Sequence, residues 1–214
     1  MPNWVFNTMN VAGETEEVKT FIEDMAKPIP TFVYPEGGHI SKDGEWKMED
    51  VVFSFWNIIA PTDLEAYFTG DTWYNWNNTN WDTKWDAKLD EKNVDDLEQN
   101  HDAFGTSNVT YRFETAWSPA MPVYRALAEK YPTLEFDISW EEEQGFGAEL
   151  TGLDGELSIT REWDIPEAHA DYMDRGEDCQ FCLWGEQDDM ADDCPDKAPE
   201  DETKLVAVTD LNYE

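Results

Sequence analysis

Basic residues are scarce in this sequence, with 14 Lys and Arg against 49 Asp and Glu, and the formal net charge is −35. Since contacts with phosphate groups require Lys and Arg, this balance argues against a nucleic-acid-binding protein. The same deficit argues against binding to anionic membrane surfaces. A charge of this sign attracts basic protein surfaces, while salt adaptation and simple solubility remain alternative explanations for it.

Long apolar runs are absent, so the sequence predicts no membrane-spanning helix. The N-terminal residues lack the basic and apolar regions of a secretion signal. Cysteine is also rare, and an odd count of three does not indicate a disulfide framework. These features together predict a protein of a reducing cytoplasm.

Catalytic motifs are missing as well. No Gly-rich run precedes Thr83 and Lys84, so they do not form a phosphate-binding loop. The histidines at 39, 101 and 169 are isolated in the sequence, and no serine has the context of a nucleophile elbow. Because carboxylates are so numerous, no pair of them stands out as an acid and a base. The sequence therefore predicts a protein without enzymatic activity.

Hydrophobic residues make up 40% of the chain and aromatic residues 14%, which is enough to build a core. We divide the sequence into four segments. Residues 1–70 form an N-terminal β-α-β segment, and residues 71–108 hold a Trp- and Asn-rich loop followed by an acidic helix. Residues 109–163 form a β-α-β-β segment, and residues 164–214 form an acidic extension with a candidate final strand at 204–211.

The segment 109–163 has the clearest pattern. Apolar residues alternate with polar ones from 109 to 117 and from 134 to 140, which predicts two strands. Ser118 and Pro119 indicate the start of a helix between them, and Asp154-Gly155 predicts a hairpin turn. Residues 4–34 show a similar β-α-β pattern. We therefore expect an α+β fold with two ferredoxin-like halves, in which helices lie on one face of antiparallel sheets.

The residues between these two segments are harder to assign. Residues 51–59 are rich in apolar side chains and are interpreted as a strand. Residues 72–87 contain several asparagines, which resist helix formation, and are interpreted as a structured loop. Residues 85–101 are interpreted as a helix that carries an acidic outer face, made by Glu91, Asp95, Glu98 and Asp102.

Partner binding through acidic residues is the function that the charge favours. Duplex DNA presents about one negative charge per 1.7 Å of its axis, and an acidic surface can imitate part of that row. The expected partner is a basic, nucleic-acid-binding host protein such as a defence nuclease. The expected contact residues are the four of the acidic helix face together with Glu141, Glu142, Glu143, Asp188, Asp189, Asp192 and Asp193.

Two alternatives remain open. Tryptophan rings can stack on a nucleotide or a sugar, and the cluster that suggests such a site comprises Trp73, Trp76, Trp81 and Trp85. Three thiols and an imidazole form an accepted ligand set for structural zinc, and here they come from Cys179, Cys182, Cys194 and His169. The competing interpretations are core aromatics in the first case and a reduced acidic loop in the second.

Three short runs resemble a known family. They are MPNW at 1–4, NWDTKWDA at 80–87 and TAWSP at 115–119, and they occur in the order expected for that family. The sequence thus resembles the YubB-like proteins, which are small, carried by phages and plasmids, and contain a ferredoxin-like domain. The resemblance implies a ferredoxin-like α+β fold and a mobile-element origin, and it implies no catalytic residues.

Overall fold

The computed structural model describes residues 3–33, 44–69, 72–89, 97–101, 105–165 and 172. The chain divides into two compact units, Met1–Asp164 and Ile165–Glu214. In the second unit the described residues are Ile165 and Tyr172, and the side chain of Tyr172 is buried.

All the strands and longer helices described here belong to the first unit. The strands are β1 (Trp4–Glu14), β2 (Ile29–Val33), β3 (Glu45–Glu49), β4 (Leu97–His101), β5 (Thr106–Ala116), β6 (Glu135–Glu142), β7 (Gly147–Leu153) and β8 (Glu156–Trp163). The helices are α1 (Thr15–Met25), α2 (Leu64–Thr69), α3 (Trp73–Asn80) and α4 (Met121–Lys130), with a 3₁₀ turn at Phe55–Asn57.

Six of the strands form one sheet in the order β4-β5-β1-β6-β7-β8, in which each neighbouring pair is antiparallel. Strand β1 lies between β5 and β6, so that Val11 is opposite Val109 on one side and Phe136 on the other. Helix α4 connects β5 to β6 across β1, and α1 with the segment after it connects β1 to β4 across β5. This is the β-α-β-β-α-β order of a ferredoxin-like fold, and β7 and β8 extend it.

The core lies between this sheet and helices α1 and α4. Alternate residues of a strand face opposite sides of the sheet, and the odd-numbered residues of β1 from Val5 to Val11 are buried. The ring of Phe21 in α1 packs edge-on against Tyr111 of β5, Phe136 of β6 and Tyr131 after α4. Both helices therefore cover the same face, as the sequence predicts.

The opposite face of the sheet is mainly polar, and none of the described helices packs on it. We call it the open face. On β1 it presents the even-numbered residues from Phe6 to Asn10, which are exposed or half-buried. By the register of the strands, it also carries the acidic residues Glu114, Glu135, Asp137, Glu141, Glu149 and Glu156.

Within the described residues there is one ferredoxin-like unit, so the expectation of two such halves is wrong. The reason is that β2 pairs with β3 in a separate two-stranded sheet and does not pair with β1. Residues 109–140 contain most of β5 and β6, which lie in the same sheet as β1, together with the helix α4 that connects them. The similar sequence patterns thus mark two parts of one unit, because local periodicity does not determine which strands pair.

Three local predictions are also wrong. Residues 51–59 contain a 3₁₀ turn and an isolated bridge between Phe53 and Leu89, since the Phe55 ring packs into the core between Trp81 and Phe113. Residues 97–101, interpreted as part of a helix, form strand β4 because β5 supplies them with a backbone partner. Helix α4 begins at Met121, and the hydroxyl of Ser118 instead donates to the carbonyl of Asp82.

The fourth correction concerns α3, which occupies residues assigned to a loop. Three of its four asparagines do not compete with the helix, because their amides bond to its backbone or to neighbouring groups. The amides of Asn78 and Asn80 donate to the carbonyls of Tyr74 and Trp76, one turn earlier, at 2.6 and 2.8 Å. Asn77 is buried, where it accepts from the hydroxyl of Tyr67 at 2.9 Å.

A buried hydrogen-bond network ties β1 to β5 and α4. The amide nitrogen of Asn7 donates to the Thr115 hydroxyl at 3.0 Å, and its oxygen accepts from the Tyr124 hydroxyl at 2.7 Å. Burial raises the pKa of the Tyr124 phenol, which stays protonated and donating. In contrast, the buried hydroxyl of Tyr111 on β5 has no partner among the described residues.

These two tyrosines give a matched prediction. Tyr124→Phe leaves the buried amide oxygen of Asn7 without its donor and should lower the free energy of unfolding by about 1–3 kcal/mol. Tyr111→Phe removes a hydroxyl that is buried without a partner and should leave the stability unchanged or raise it. Urea denaturation of both variants and the parent measures the difference. An equal loss of stability in the two variants would contradict the network.

Candidate functional site

Residues 81–89 form a loop that runs along the edge of β5 beyond the part paired with β4. The Thr83 hydroxyl donates to the carbonyl of Ala116 at 3.1 Å and accepts from its amide at 2.9 Å. At the other end, the amide of Leu89 donates to the Phe53 carbonyl at 2.9 Å. The loop is therefore fixed at both ends by backbone atoms of the core.

Two residues in or beside this loop have a left-handed backbone conformation. Asp82 has a φ of 61° and Trp117 has a φ of 71°. Aspartate adopts this conformation more readily than most residues, whereas it is unusual for the bulky side chain of Trp117. The Trp117 ring is 43% exposed, and the Lys84 ammonium lies 5.4 Å from its centroid and 5.1 Å from that of Trp85. Cation–π contacts of this kind hold the rings in place beside the loop.

Asp86 anchors the middle of the loop. Its carboxylate accepts from the Ser54 hydroxyl at 2.5 Å and from the amide of Phe55 at 2.7 Å, which fixes the loop to the start of the 3₁₀ turn. Removal from water raises the pKa of this carboxyl from 3.8 to about 6, and the two hydrogen bonds oppose that rise. Sequence reasoning missed Asp86, since one more aspartate carries no signal in so acidic a chain.

A cleft of about 500 Å³ lies between this loop and the open face. Its walls include the rings of Trp4, Phe6 and Trp85, and the first and last of these are 5.2 Å apart between centroids. The polar groups that line it belong to Thr8, Asp86, Lys88, Arg112 and Glu114, with Asn7 at the buried side.

Lys88 and Arg112 enter the cleft from opposite sides. Lys88 comes from the loop and forms an ion pair with Glu49 at 2.5 Å. Arg112 comes from β5, two residues before Glu114, on the face opposite Tyr111 and Phe113. The strand alternation that predicts β5 already places Arg112 and Glu114 together on the outer face. The sequence does not show that residues 85–89 lie beside these two side chains and form the other wall of the cleft.

The four tryptophans proposed as a ligand site do not come together. Trp81 is fully buried, and its indole donates to the carbonyl of Ile59 at 2.9 Å while its ring packs 5.2 Å from that of Trp76. Trp73 lines a separate pocket with Tyr67 and Phe68. Of the four, only Trp85 lines the cleft. The four tryptophans are close together in the sequence, but α3 and the loop after it place their side chains in different parts of the structure.

The acidic residues proposed for partner binding also separate. Glu142 is 2% exposed and accepts from the amide of Gln144 at 2.6 Å, so its side chain is not part of any surface. Glu141 lies on the open face and accepts from the Trp163 indole at 3.1 Å, and Glu143 is exposed. Glu98 is a strand residue, opposite Thr110 on β5.

The other proposed contacts and the zinc set lie outside the described residues. They are Glu91, Asp95, Asp102, Asp188, Asp189, Asp192 and Asp193 for the partner, and Cys179, Cys182, Cys194 and His169 for zinc. The candidate final strand at 204–211 lies outside them as well. In the ranges that the structure describes, no cluster of three or more metal-binding side chains is present. No helix in those ranges is long and apolar enough to cross a membrane.

The raised pKa of Asp86 predicts how stability depends on pH. Because the folded state binds this proton more tightly than the unfolded chain does, its contribution to stability is complete below pH 3.8 and is lost as the pH rises through about 6. Asp86→Asn removes this titration, so the variant should lose less free energy of unfolding than the parent between those two pH values. Denaturation curves across the range measure the slopes.

Asp50→Asn is the control, since it removes one exposed carboxylate from the same unit. Only Asp86→Asn should change the slope of the free energy of unfolding against pH. A slope for Asp86→Asn equal to that of the parent, or an equal change of slope in the two variants, would contradict the assignment.

A match to a protein family agrees with the ferredoxin-like topology. Residues 80–183 match the family model described as the ferredoxin-like domain in Api92-like protein. The crystal structure of the protein api92 from Yersinia pseudotuberculosis is similar over 78% of this chain and 99% of that chain, at 10% sequence identity and a TM-score of 0.47. No curated protein matches the sequence.

The ferredoxin-like expectation is thus confirmed, whereas the YubB-like relationship and the mobile-element origin stay predictions. The matched residues include the loop beside the cleft and strands β4 to β8, and β1 and α1 precede them. Residues 80–183 are therefore similar to the ferredoxin-like domain of Api92-like proteins, and the ferredoxin-like unit of this chain also includes β1 and α1, which precede the matched residues.

Proposed function

We propose that this protein is a non-enzymatic inhibitor, encoded by a mobile element, that binds a basic nucleic-acid-binding host protein in the bacterial cytoplasm. The contact surface is the open face of the six-stranded sheet. The observation that carries the proposal is that this face is acidic, and that no helix covers it among the described residues, in a chain with a net charge of −35. The partner class is a defence effector, such as a CRISPR effector or a restriction enzyme.

The sheet holds the carboxylates in a regular array. Residues on the same face of a strand are about 6.7 Å apart, and neighbouring strands are about 4.8 Å apart. Glu135 and Asp137 follow each other along the open face of β6, and Glu156 lies at the start of β8. Since strands hold the backbone of these residues rigid, little backbone conformational entropy is lost when a partner binds. The array resembles rows of phosphates in charge and in order.

A shallow hollow of about 360 Å³ lies in the middle of this array. Its polar lining includes the hydroxyls of Thr8, Ser139 and Thr151 and the carboxylates of Asp137 and Glu149. Hydroxyl and carboxylate oxygens accept hydrogen bonds from the donors of a guanidinium or an ammonium group. An Arg or Lys side chain of the partner fits this hollow in size and in chemistry.

Ion pairs among the described residues balance only part of the charge of the open face. Arg161 of β8 lies 3.5 Å from Glu149, and both side chains are about half exposed, so this ion pair is weak. Glu135, Asp137 and Glu156 are exposed. A partner with opposite charge gains mainly in its rate of association and in specificity, which makes the binding sensitive to salt.

The test compares two sets of three neutralised acids. The first set lies on the open face and consists of Glu135→Gln, Asp137→Asn and Glu156→Gln. The matched control consists of Glu16→Gln, Glu23→Gln and Glu129→Gln, which are exposed on helices α1 and α4. Binding to a panel of purified CRISPR effectors and restriction nucleases is measured at low and high salt, with duplex DNA as a competitor.

The expected result is binding of a basic panel member at low salt, which DNA displaces. The open-face variant should bind it about tenfold or more weakly than the parent, and the control variant should bind it as the parent does. Equal losses in the two variants would mean unspecific attraction by net charge. No binding at low salt would leave salt adaptation or solubility as the reason for the acidity.

A further inference from the structure

We propose that the cleft between β1, β5 and residues 85–89 is a binding site for the guanine base of a nucleoside. This site adjoins the hollow on the open face that is assigned to a basic partner, with Thr8 lining both, and it does not depend on that proposal. The arguments are the rings of its walls, the hydrogen-bonding groups at its edge and the charge of the chain around it.

The walls suit a flat aromatic ligand. The ring centroids of Trp4 and Trp85 are 5.2 Å apart, with an angle of 49° between the ring planes. Phe6 on β1 is 52% exposed. A phenylalanine exposed to this degree beside two half-buried tryptophans leaves a ring face available for stacking. Stacking of a base on aromatic side chains contributes about 1–3 kcal/mol per base. The volume of about 500 Å³ lies within the usual range of small-ligand sites.

The edge of the cleft has the groups that distinguish guanine from the other bases. Arg112 and Glu114 lie on the same face of β5, about 6.7 Å apart along the strand. A guanidinium has five N–H donors in a planar fork and pairs with the O6 and N7 acceptors of guanine. A carboxylate accepts from the N1–H and N2–H₂ donors on the next edge of the same base. Adenine has a donor where guanine has O6, so it matches Arg112 less well.

The charges around the cleft favour a neutral ligand. Lys88 is paired with Glu49 at 2.5 Å, and Glu114 adds a negative charge to the lining. The chain as a whole carries −35. A field of this sign repels the phosphates of a nucleotide or a nucleic acid, whereas a nucleoside has no charge to repel.

The cleft is also held in shape by the protein. Thr83 fixes one end of the loop to Ala116, and Asp86 fixes its middle to Ser54 and Phe55. A site that is already formed loses little entropy when its ligand binds. This rigidity supports a small-molecule site more than a chance gap between a loop and a sheet.

The experiment measures the dissociation constants of guanosine, adenosine and glucose by isothermal titration calorimetry on the full chain. Trp85→Ala removes one ring and should weaken guanosine binding about 5- to 150-fold, which is the stacking free energy of one base converted at 1.4 kcal/mol per tenfold. Glu114→Gln changes an exposed side chain, so folding is preserved, and it should weaken guanosine more than adenosine. Trp46→Phe is the matched control, since Trp46 is 46% exposed on β3 and does not line the cleft.

The proposal is supported if guanosine binds more tightly than adenosine, if Trp85→Ala and Glu114→Gln weaken it, and if Trp46→Phe does not. It is overturned if guanosine does not bind, if adenosine binds equally well, or if glucose binds in its place. It is also overturned if guanosine binding is unaffected by Glu114→Gln, which remains informative should Trp85→Ala fail to fold. These readouts do not involve a protein partner, so failure here is distinct from failure of the proposed inhibitor function.

Discussion

The placement of β1 at the centre of the sheet is the constraint on which the rest of the structure depends. This strand pairs with β5 over its whole length and with β6 on its other side, although both partners lie more than 90 residues away in the sequence. Its odd-numbered residues form the floor of the core, and its even-numbered residues form part of the open face. One strand thus contributes to the core, to the cleft and to the open face.

A single polar residue in that strand reinforces the arrangement. Asn7 occupies a position where a hydrophobic residue is expected, yet its amide is matched by Thr115 of β5 and Tyr124 of α4. A buried amide without such partners would cost about 1–3 kcal/mol, so the network favours one register of β1 against β5 and one position of α4. The cleft depends on this register, because it sets Phe6 opposite Glu114 and Thr8 opposite Arg112.

The segment between α1 and β4 adds what a minimal ferredoxin-like unit lacks. Its rings, among them Phe53, Phe55 and Trp81, pack onto the core beside Phe113. The loop that follows α3 then lies along β5 and forms one wall of the cleft. The functional candidates therefore lie where this added segment meets the sheet and on the face that no described helix covers.

The amino-acid sequence by itself determined the charge, the strands β1, β5, β6, β7 and β8, helix α1 and the Asp154-Gly155 turn, because each follows from local periodicity or local turn chemistry. Only the tertiary structure decided that residues 97–101 are a strand, that α3 is a helix and that the two β-α-β patterns belong to one sheet. Those outcomes depend on partners distant in the sequence, such as β5 for β4 and Tyr67 for Asn77. For the same reason, the positions of acids and tryptophans in the sequence do not predict the burial of Glu142 and Trp81 or the contact between the rings of Trp4 and Trp85.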